Sequence, residues 1–273
     1  MPTPNPAETA PAIEPIVRRL FCHPVKGLTP AEPERAQFTA EWGMQGDRVF
    51  ALMFDDGKRK PAPDLPWLSK RYFAVQNDWP DLARLHCTYD RAAQTLTVER
   101  DGKLEIEAHV DREREAIGQW FAEFLRGCKP SPGARHPKLA PLTLVGQPSE
   151  TTTFRDRLHG QVSLIGTATL AALEKLSEQP VDPRRFRPNL VVETATPWEE
   201  FGWIGKTWRC GEVEFEPIER IQRCINIEVC PDSGERDLPL LPLLKRNFRH
   251  TDTGVIARVV KGGAIAVGDR YAV

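Results

Sequence analysis

The residues best suited to chemistry lie near the C-terminal end, in Arg220-Ile221-Gln222-Arg223-Cys224-Ile225-Asn226-Ile227-Glu228-Val229-Cys230. From Ile221 to Val229 every second residue is apolar except Arg223. That alternation predicts a strand with one face in the core and one face out. The register sets Cys224 on the polar face with Gln222, Asn226 and Glu228. A structural cysteine behaves as a small hydrophobe and would sit with the isoleucines instead. Beside Arg220 and Arg223, an outward thiol suits a nucleophile or a metal ligand, although a merely tolerated half-exposed cysteine would show the same pattern.

Other groupings carry less. Cys230 projects to the same face, but six residues of extended strand separate the two α-carbons by about 20 Å. A disulfide needs less than ~7 Å. The segment from Cys230 to Arg236 has the cysteine-to-arginine spacing of a phosphatase loop. Pro231 lacks an amide that such a loop requires, and Asp232 and Glu235 would repel phosphate, so Pro231-Asp232-Ser233-Gly234 reads as a turn. Pro183-Arg184-Arg185-Phe186-Arg187-Pro188-Asn189 is the densest basic cluster. Guanidinium forks there could hold phosphate and Asn189 could read a polar ring edge, though a solvated basic loop has the same composition. Lys26 and Arg48 stand at strand–turn junctions beside glycines, where a side chain can approach a ligand or simply face solvent. The histidines show no metal-ligand spacing, no CxxC occurs, and neither a Walker loop nor a dinucleotide fingerprint is present.

These residues need a scaffold. At 273 residues, 40% hydrophobic and 27% charged, the chain is long enough for two subdomains. A net charge of −1 gives no electrostatic reason to expect nucleic acid or an anionic membrane as partner. No apolar run approaches the ~18 residues of a membrane helix, and the N-terminus lacks the pattern of a secretory signal. A cytoplasmic chain with reduced thiols is the expectation, with residues 1–14 a disordered tail.

Strands are predicted over residues 16–22, 34–39 and 49–54. A meander follows over 85–89, 95–99 and 104–110, with Asp101-Gly102 as a hairpin turn. After Asp111, a suitable N-cap, Ile117, Trp120, Phe121, Phe124 and Leu125 fall at helical spacing until Gly127. Four prolines between Lys129 and Pro141 mark a linking loop. Strands are then expected over 142–145, 162–165, 189–193, 207–210 and 213–216, and a helix opens at Thr167. Residues 238–244 read as an irregular helix, and 255–260 with 264–267 as a hairpin around Gly262-Gly263. The whole is mostly β (α+β), with two barrel-like subdomains and few helices.

Several fragments occur in an order that resembles one family. Pro24-Val25-Lys26 and Gly46-Asp47-Arg48 are similar to hallmarks of the β-barrel domain that precedes MOSC domains. Phe186-Arg187-Pro188-Asn189, Arg223-Cys224, the Pro231–Gly234 turn and Val267-Gly268-Asp269 resemble the MOSC domain itself. The resemblance implies an N-terminal barrel over 15–128, a MOSC domain over 140–273 and a cofactor cleft between them. It implies binding of the molybdenum cofactor (molybdopterin), with Cys224 ligating molybdenum, Lys26, Gly27, Arg48, Arg187, Asn189 and Arg223 around the pterin and its phosphate, and the loop from Phe154 to His159 as a further candidate lining. By family association, pyridoxal phosphate is a second possible ligand. The implied activity is reduction of N-hydroxylated compounds, such as amidoximes, hydroxylamines or N-hydroxylated bases, with electrons from a separate ferredoxin, flavoprotein or cytochrome. The alternative is a sulfur carrier or cofactor-transfer protein that uses Cys224 without turnover. Two departures stand out: Gly27 where the family often has serine, and Cys230 where it often has aspartate.

Overall fold

The structure is a computed structural model that describes residues 14–55, 68–135, 139–149 and 153–273. The expected tail, apart from Glu14, and His136 lie outside the described residues. The first half supplies β1 (Val17–Leu20), β2 (Val25–Lys26), β3 (Arg35–Thr39), β4 (Gly43–Met44) and β5 (Phe50–Phe54). Its meander is β6 (Leu85–Asp90), β7 (Thr95–Arg100) and β8 (Lys103–His109), followed by α1 (Arg114–Arg126). The second half begins with β9 (Leu142–Gly146), β10 (Val162–Gly166), α2 (Thr167–Ser177) and β11 (Leu190–Val192). It continues through β12 (Trp208–Cys210), β13 (Val213–Gln222), α3 (Leu240–Phe248), β14 (Asp252–Lys261), β15 (Gly263–Ala266) and β16 (Tyr271–Ala272). The protein is mostly β, as its composition of short, turn-bounded strands requires.

The meander forms as the sequence dictates. Asp101 (φ 53°) and Gly102 (φ 71°) both adopt the left-handed region, the conformation a two-residue hairpin turn needs. Ile117, Phe121 and Leu125 share one face of α1 and are fully buried against Leu142 and Leu144 of β9. The helix starts at Arg114 rather than at Asp111. Glu113 holds the cap position, its carboxylate accepting from the His109 amide instead of from the helix.

The halves interlace. β1, from the first half, pairs with β11 and completes a seven-stranded sheet ordered β1-β11-β10-β14-β13-β12-β16. β9, from beyond the proline-rich loop, pairs with β5. β15 pairs with β3 rather than folding back on β14, which corrects the expected hairpin around Gly262-Gly263. Ile265 thereby enters the core beside Phe38, and Gly262 is required because a Cβ would lie 2.6 Å from the Phe38 carbonyl.

The Cys224 stretch is also corrected. The strand ends at Gln222, and Ile225–Glu228 forms a short 3-10 turn. Arg223 causes the break: its guanidinium turns inward to Thr253 and to the Phe186 carbonyl. Ile227 then buries in a separate core with Leu240 and Leu244 of α3. Cys224 and Cys230 are therefore not residues of one continuous strand, and no disulfide joins any of the six cysteines. No helix among the described residues is long and apolar enough to cross a membrane.

Candidate functional site

Where β13 ends, Cys224 is extended (φ −114°, ψ 176°) and half-buried. Its sulfur lies 3.7 Å from Lys70 Nζ and 3.5 Å from both Nδ2 and Oδ1 of Asn77. It faces a cleft of about 410 Å³. One wall comes from the first half, through Lys70, Gln76 and Asn77; the other comes from the second half, through Arg187, Arg223 and Asn226.

The basic cluster divides by function. Arg184 is bound to Asp182 and Asp232, and Arg185 to Asp237 and the Glu228 carbonyl, so both are committed to the fold. Arg185 and Arg187 both line the cleft, each with one guanidinium nitrogen, Nε of Arg185 and Nη2 of Arg187, buried without a hydrogen bond. The Arg187 backbone is left-handed (φ 52°), as is that of Arg48 (φ 54°), a conformation costing roughly 1–2 kcal/mol outside glycine. Arg187 donates from Nη1 to the Leu28 carbonyl at 2.6 Å, while its Nη2 is buried without a hydrogen-bond partner. Arg48 donates to Asp47 and to the Arg187 carbonyl, and its Nε is likewise buried without a hydrogen bond. Burial pushes Arg223 down to about 9 and, aided by the Arg48 charge, pushes Arg187 down to about 10. Crowded guanidinium groups with unused donors are suited to a multivalent anion.

Lys26 and Asn189 are brought to the same region but are internally satisfied. Lys26 is buried, its ammonium donating to the Phe154 and Arg155 carbonyls and paired with Asp156. Asn189 donates to the Phe21 carbonyl and accepts from the Ser163 amide and hydroxyl. It ties Phe21, just after β1, to β10 and forms part of a small adjoining cavity. Asp156 is the counter-ion of the cluster, facing Lys26 and lying 3.5 Å from Arg48 Nε. Burial pushes its carboxyl up, but Lys26, Arg48 and Arg187 outweigh this and hold it well below the usual carboxylate range.

Gly27 explains one departure from the family pattern. Its φ is +91°, and a Cβ would stand 2.7 Å from the Ala74 carbonyl. The turn after β2 must approach the 73–77 segment this closely for Asn77 to reach Cys224. Gly27→Ser is expected to destabilise the protein by roughly 1–3 kcal/mol, measured by urea denaturation; an unchanged midpoint would contradict this account.

His23 is a further buried group, missed in the sequence. Its Nε2 lies 3.2 Å from the Pro188 carbonyl and its Nδ1 has no partner. Burial, then the Arg187 and Arg48 charges, push it well below its ordinary value, against weaker opposing pulls from the Pro188 carbonyl and Asp156. The folded state thus keeps His23 neutral where the unfolded chain protonates. Its contribution is intact above the unfolded value of ~6.5 and is lost as pH falls below it, by up to about 1.4 kcal/mol per pH unit. Stability should therefore fall from pH 7 to pH 5, and denaturation curves of His23→Gln should show a shallower fall. Parallel pH dependences would reject this origin.

Of the sequence candidates, Cys224, Gly27, Arg187 and Arg223 line the main cleft, and Arg48 lines the adjoining cavity with Asn189. Lys70, Gln76, Asn77 and Asp156 were not singled out. Asn226 lay in the opening stretch, and Asp156 lies on a loop whose sequence has no periodic signal. Among the described residues no group of three or more His, Cys, Asp or Glu could hold a metal ion.

The sequence matches the MOSC N-terminal beta barrel domain over residues 14–127 and the MOSC domain over residues 150–272. The chain belongs to the MOSC-domain proteins that carry this N-terminal barrel. It is 27% identical to the mitochondrial amidoxime-reducing component 1 of Homo sapiens, over 86% of this chain and 72% of that one. It is 33% identical to the mitochondrial amidoxime reducing component 2 of Bos taurus, over 40% of this chain and 35% of that protein. A molybdenum cofactor sulfurase of Oryza sativa subsp. japonica is 27% identical over 49% of this chain, a match covering 17% of that protein. The crystal structure of the YUAD protein from Bacillus subtilis aligns over 94% of this chain and 93% of that one, with 11% identity and a TM-score of 0.45.

Proposed function

We propose that this chain is a molybdenum-cofactor-dependent oxidoreductase that reduces N-hydroxylated compounds, amidoximes and hydroxylamines among them. One observation carries this: the cleft that Cys224 faces is lined by Arg187, whose Nη2 is buried without a hydrogen bond, and the adjoining cavity by Arg48, whose Nε makes no hydrogen bond and has Asp156 at 3.5 Å. A soft thiolate suits molybdenum and the orphaned donors suit the pterin's phosphate, so the residues present fit the group. Cys224 would hold the metal, Arg187 and Arg48 the phosphate, and Arg223, fixed by Thr253 and stacked on Phe186, would keep the Cys224 backbone in place. When bound, the cofactor supplies the two-electron reduction of the N–O bond. In balance, the N-hydroxyl compound takes up two electrons and two protons and yields the corresponding N–H compound and water, the electrons coming from a separate redox protein. Gln76, Asn77 and Asn226 give the cleft amide groups that can orient a polar nitrogen substrate. The proposed compartment is the cytoplasm, where thiols remain reduced. Pyridoxal phosphate is a poorer fit, because an aldehyde would need a free amine, whereas Lys26 is held by three oxygen partners and the Lys70 ammonium is set against the Cys224 sulfur.

The match to sulfurases supports a second reading, in which Cys224 carries sulfur or passes on the cofactor without turnover. Elemental analysis of protein from a cofactor-competent host separates the two when combined with an amidoxime reduction assay under a chemical reductant. Stoichiometric molybdenum with turnover is the expected result. Stoichiometric molybdenum without turnover favours cofactor transfer, and absence of molybdenum overturns the oxidoreductase and cofactor-transfer readings and leaves only the sulfur carrier.

A further inference from the structure

The side-chain contacts to the Cys224 sulfur come from the other half of the chain. Lys70 and Asn77 flank the buried segment Phe73–Gln76, in which Phe73 packs edge-on against Phe154 at 5.4 Å between ring centroids. Asn77 is fixed from two sides: its carbonyl accepts from Arg236 Nη2 at 3.1 Å, and neighbouring Gln76 accepts from Asn226 Nδ2 at 3.2 Å. The turn from Pro231 to Gly234 braces the same region, Gly234 (φ +73°) lying so close that a Cβ would meet Asp81 Cα at 3.0 Å. A stray amide would not require such support. The sulfur is equidistant from the two heads of the Asn77 amide, 3.5 Å to each. A protonated thiol can donate to Oδ1, whereas an anionic or metal-bound sulfur can only accept, from Nδ2 and from the Lys70 ammonium.

Resting on the function proposed above, we propose that Lys70 and Asn77 are positioning residues that set the electron-donating strength of the Cys224 sulfur. Both place positive N–H groups on it, and hydrogen bonds to a ligating sulfur raise the reduction potential of the centre it serves. The N-terminal barrel thus acts on the reaction through the ligand, without touching the metal.

Two measurements read this. In molybdenum-loaded protein, Lys70→Met should lower the reduction equilibrium constant at least tenfold, about 30 mV for a two-electron couple. Lys70→Arg should restore it, and Asn77→Leu should shift it the same way by a smaller factor. In metal-free protein at one fixed pH, carboxamidomethylation of Cys224 by iodoacetamide, followed by peptide mass spectrometry, reads the same contacts. Removing the ammonium should slow this reaction about tenfold, and Lys70→Arg should recover it. Unchanged alkylation rates overturn the assignment. So does an unchanged potential at full molybdenum content, or loss of molybdenum from Lys70→Met that Lys70→Arg repairs, which would make Lys70 a binding residue. Failure of the molybdenum reading is seen separately, as wild-type protein without metal whose alkylation still depends on Lys70.

Discussion

Cys224→Ala is expected to reduce molybdenum retention to background and amidoxime reduction at least 100-fold, with little change in stability. The thiol is half-buried and lies in a cleft rather than in a packed core, so removing it leaves no enclosed cavity. The cost should stay below about 1 kcal/mol, in contrast to the ~2–5 kcal/mol of a buried large-to-small change. Metal analysis, turnover and a thermal melt on the same preparation test this together. Retained turnover in the variant would remove Cys224 from the chemistry, and a collapsed melt would make it a structural residue instead.

The second large effect is expected at Arg187, where stability and binding should separate. Arg187→Gly relieves the left-handed backbone and one member of a crowded cationic group, a gain of roughly 1–2 kcal/mol. It loses the hydrogen bond to the Leu28 carbonyl, worth about 1 kcal/mol. Stability should therefore change by no more than about 1 kcal/mol. Loss of charge-assisted bonds worth ~1.5–3 kcal/mol should weaken phosphate binding about 10- to 100-fold. Thermal shift in inorganic phosphate reads this, because a ligand raises the melting temperature only of the protein that binds it. Wild-type protein should be stabilised by phosphate at concentrations that leave the variant unmoved. Equal shifts would place the anion elsewhere.

Strand signals were legible where both partners are local. The β6–β8 meander, α1 and the Asp101-Gly102 turn followed from alternation, helical spacing and turn chemistry. The partner of β15 was not legible, because adjacency in sequence favours a hairpin and nothing local announces that β3 is waiting. Cys224 was singled out for a reason that holds only in part. Of the alternating apolar residues, Ile221 is half-buried at the cleft, Ile225 is exposed and Ile227 enters the core around α3, so the alternation does not mark one continuous strand. The sulfur still faces the cleft. Arg187 and Arg48 were visible as basic residues at turns, yet their left-handed backbones and unused nitrogens appear only in three dimensions. Lys26 looked like a ligand-binding lysine and is instead engaged by the loop around Asp156. Lys70 and Asn77 gave no signal, since their places are set by contacts between residues 147 to 154 positions apart, and Asp156 was visible only as part of the 154–159 loop.

The exchange of strands between the halves has a mechanical consequence for the cleft. With β1 sewn into the seven-stranded sheet and β9 sewn onto β5, each half wears a strand of the other. Swinging them apart would rupture backbone ladders on both sides at once, so the cleft behaves as a vice with fixed jaws. Traffic must pass through local give at its rim. Asp156 sits at that rim with 47% of its side chain exposed, while its carboxylate faces the cations inside. An arriving anion can thus trade places with a carboxylate already seated there, and residence time becomes a property of one short loop rather than of the domains.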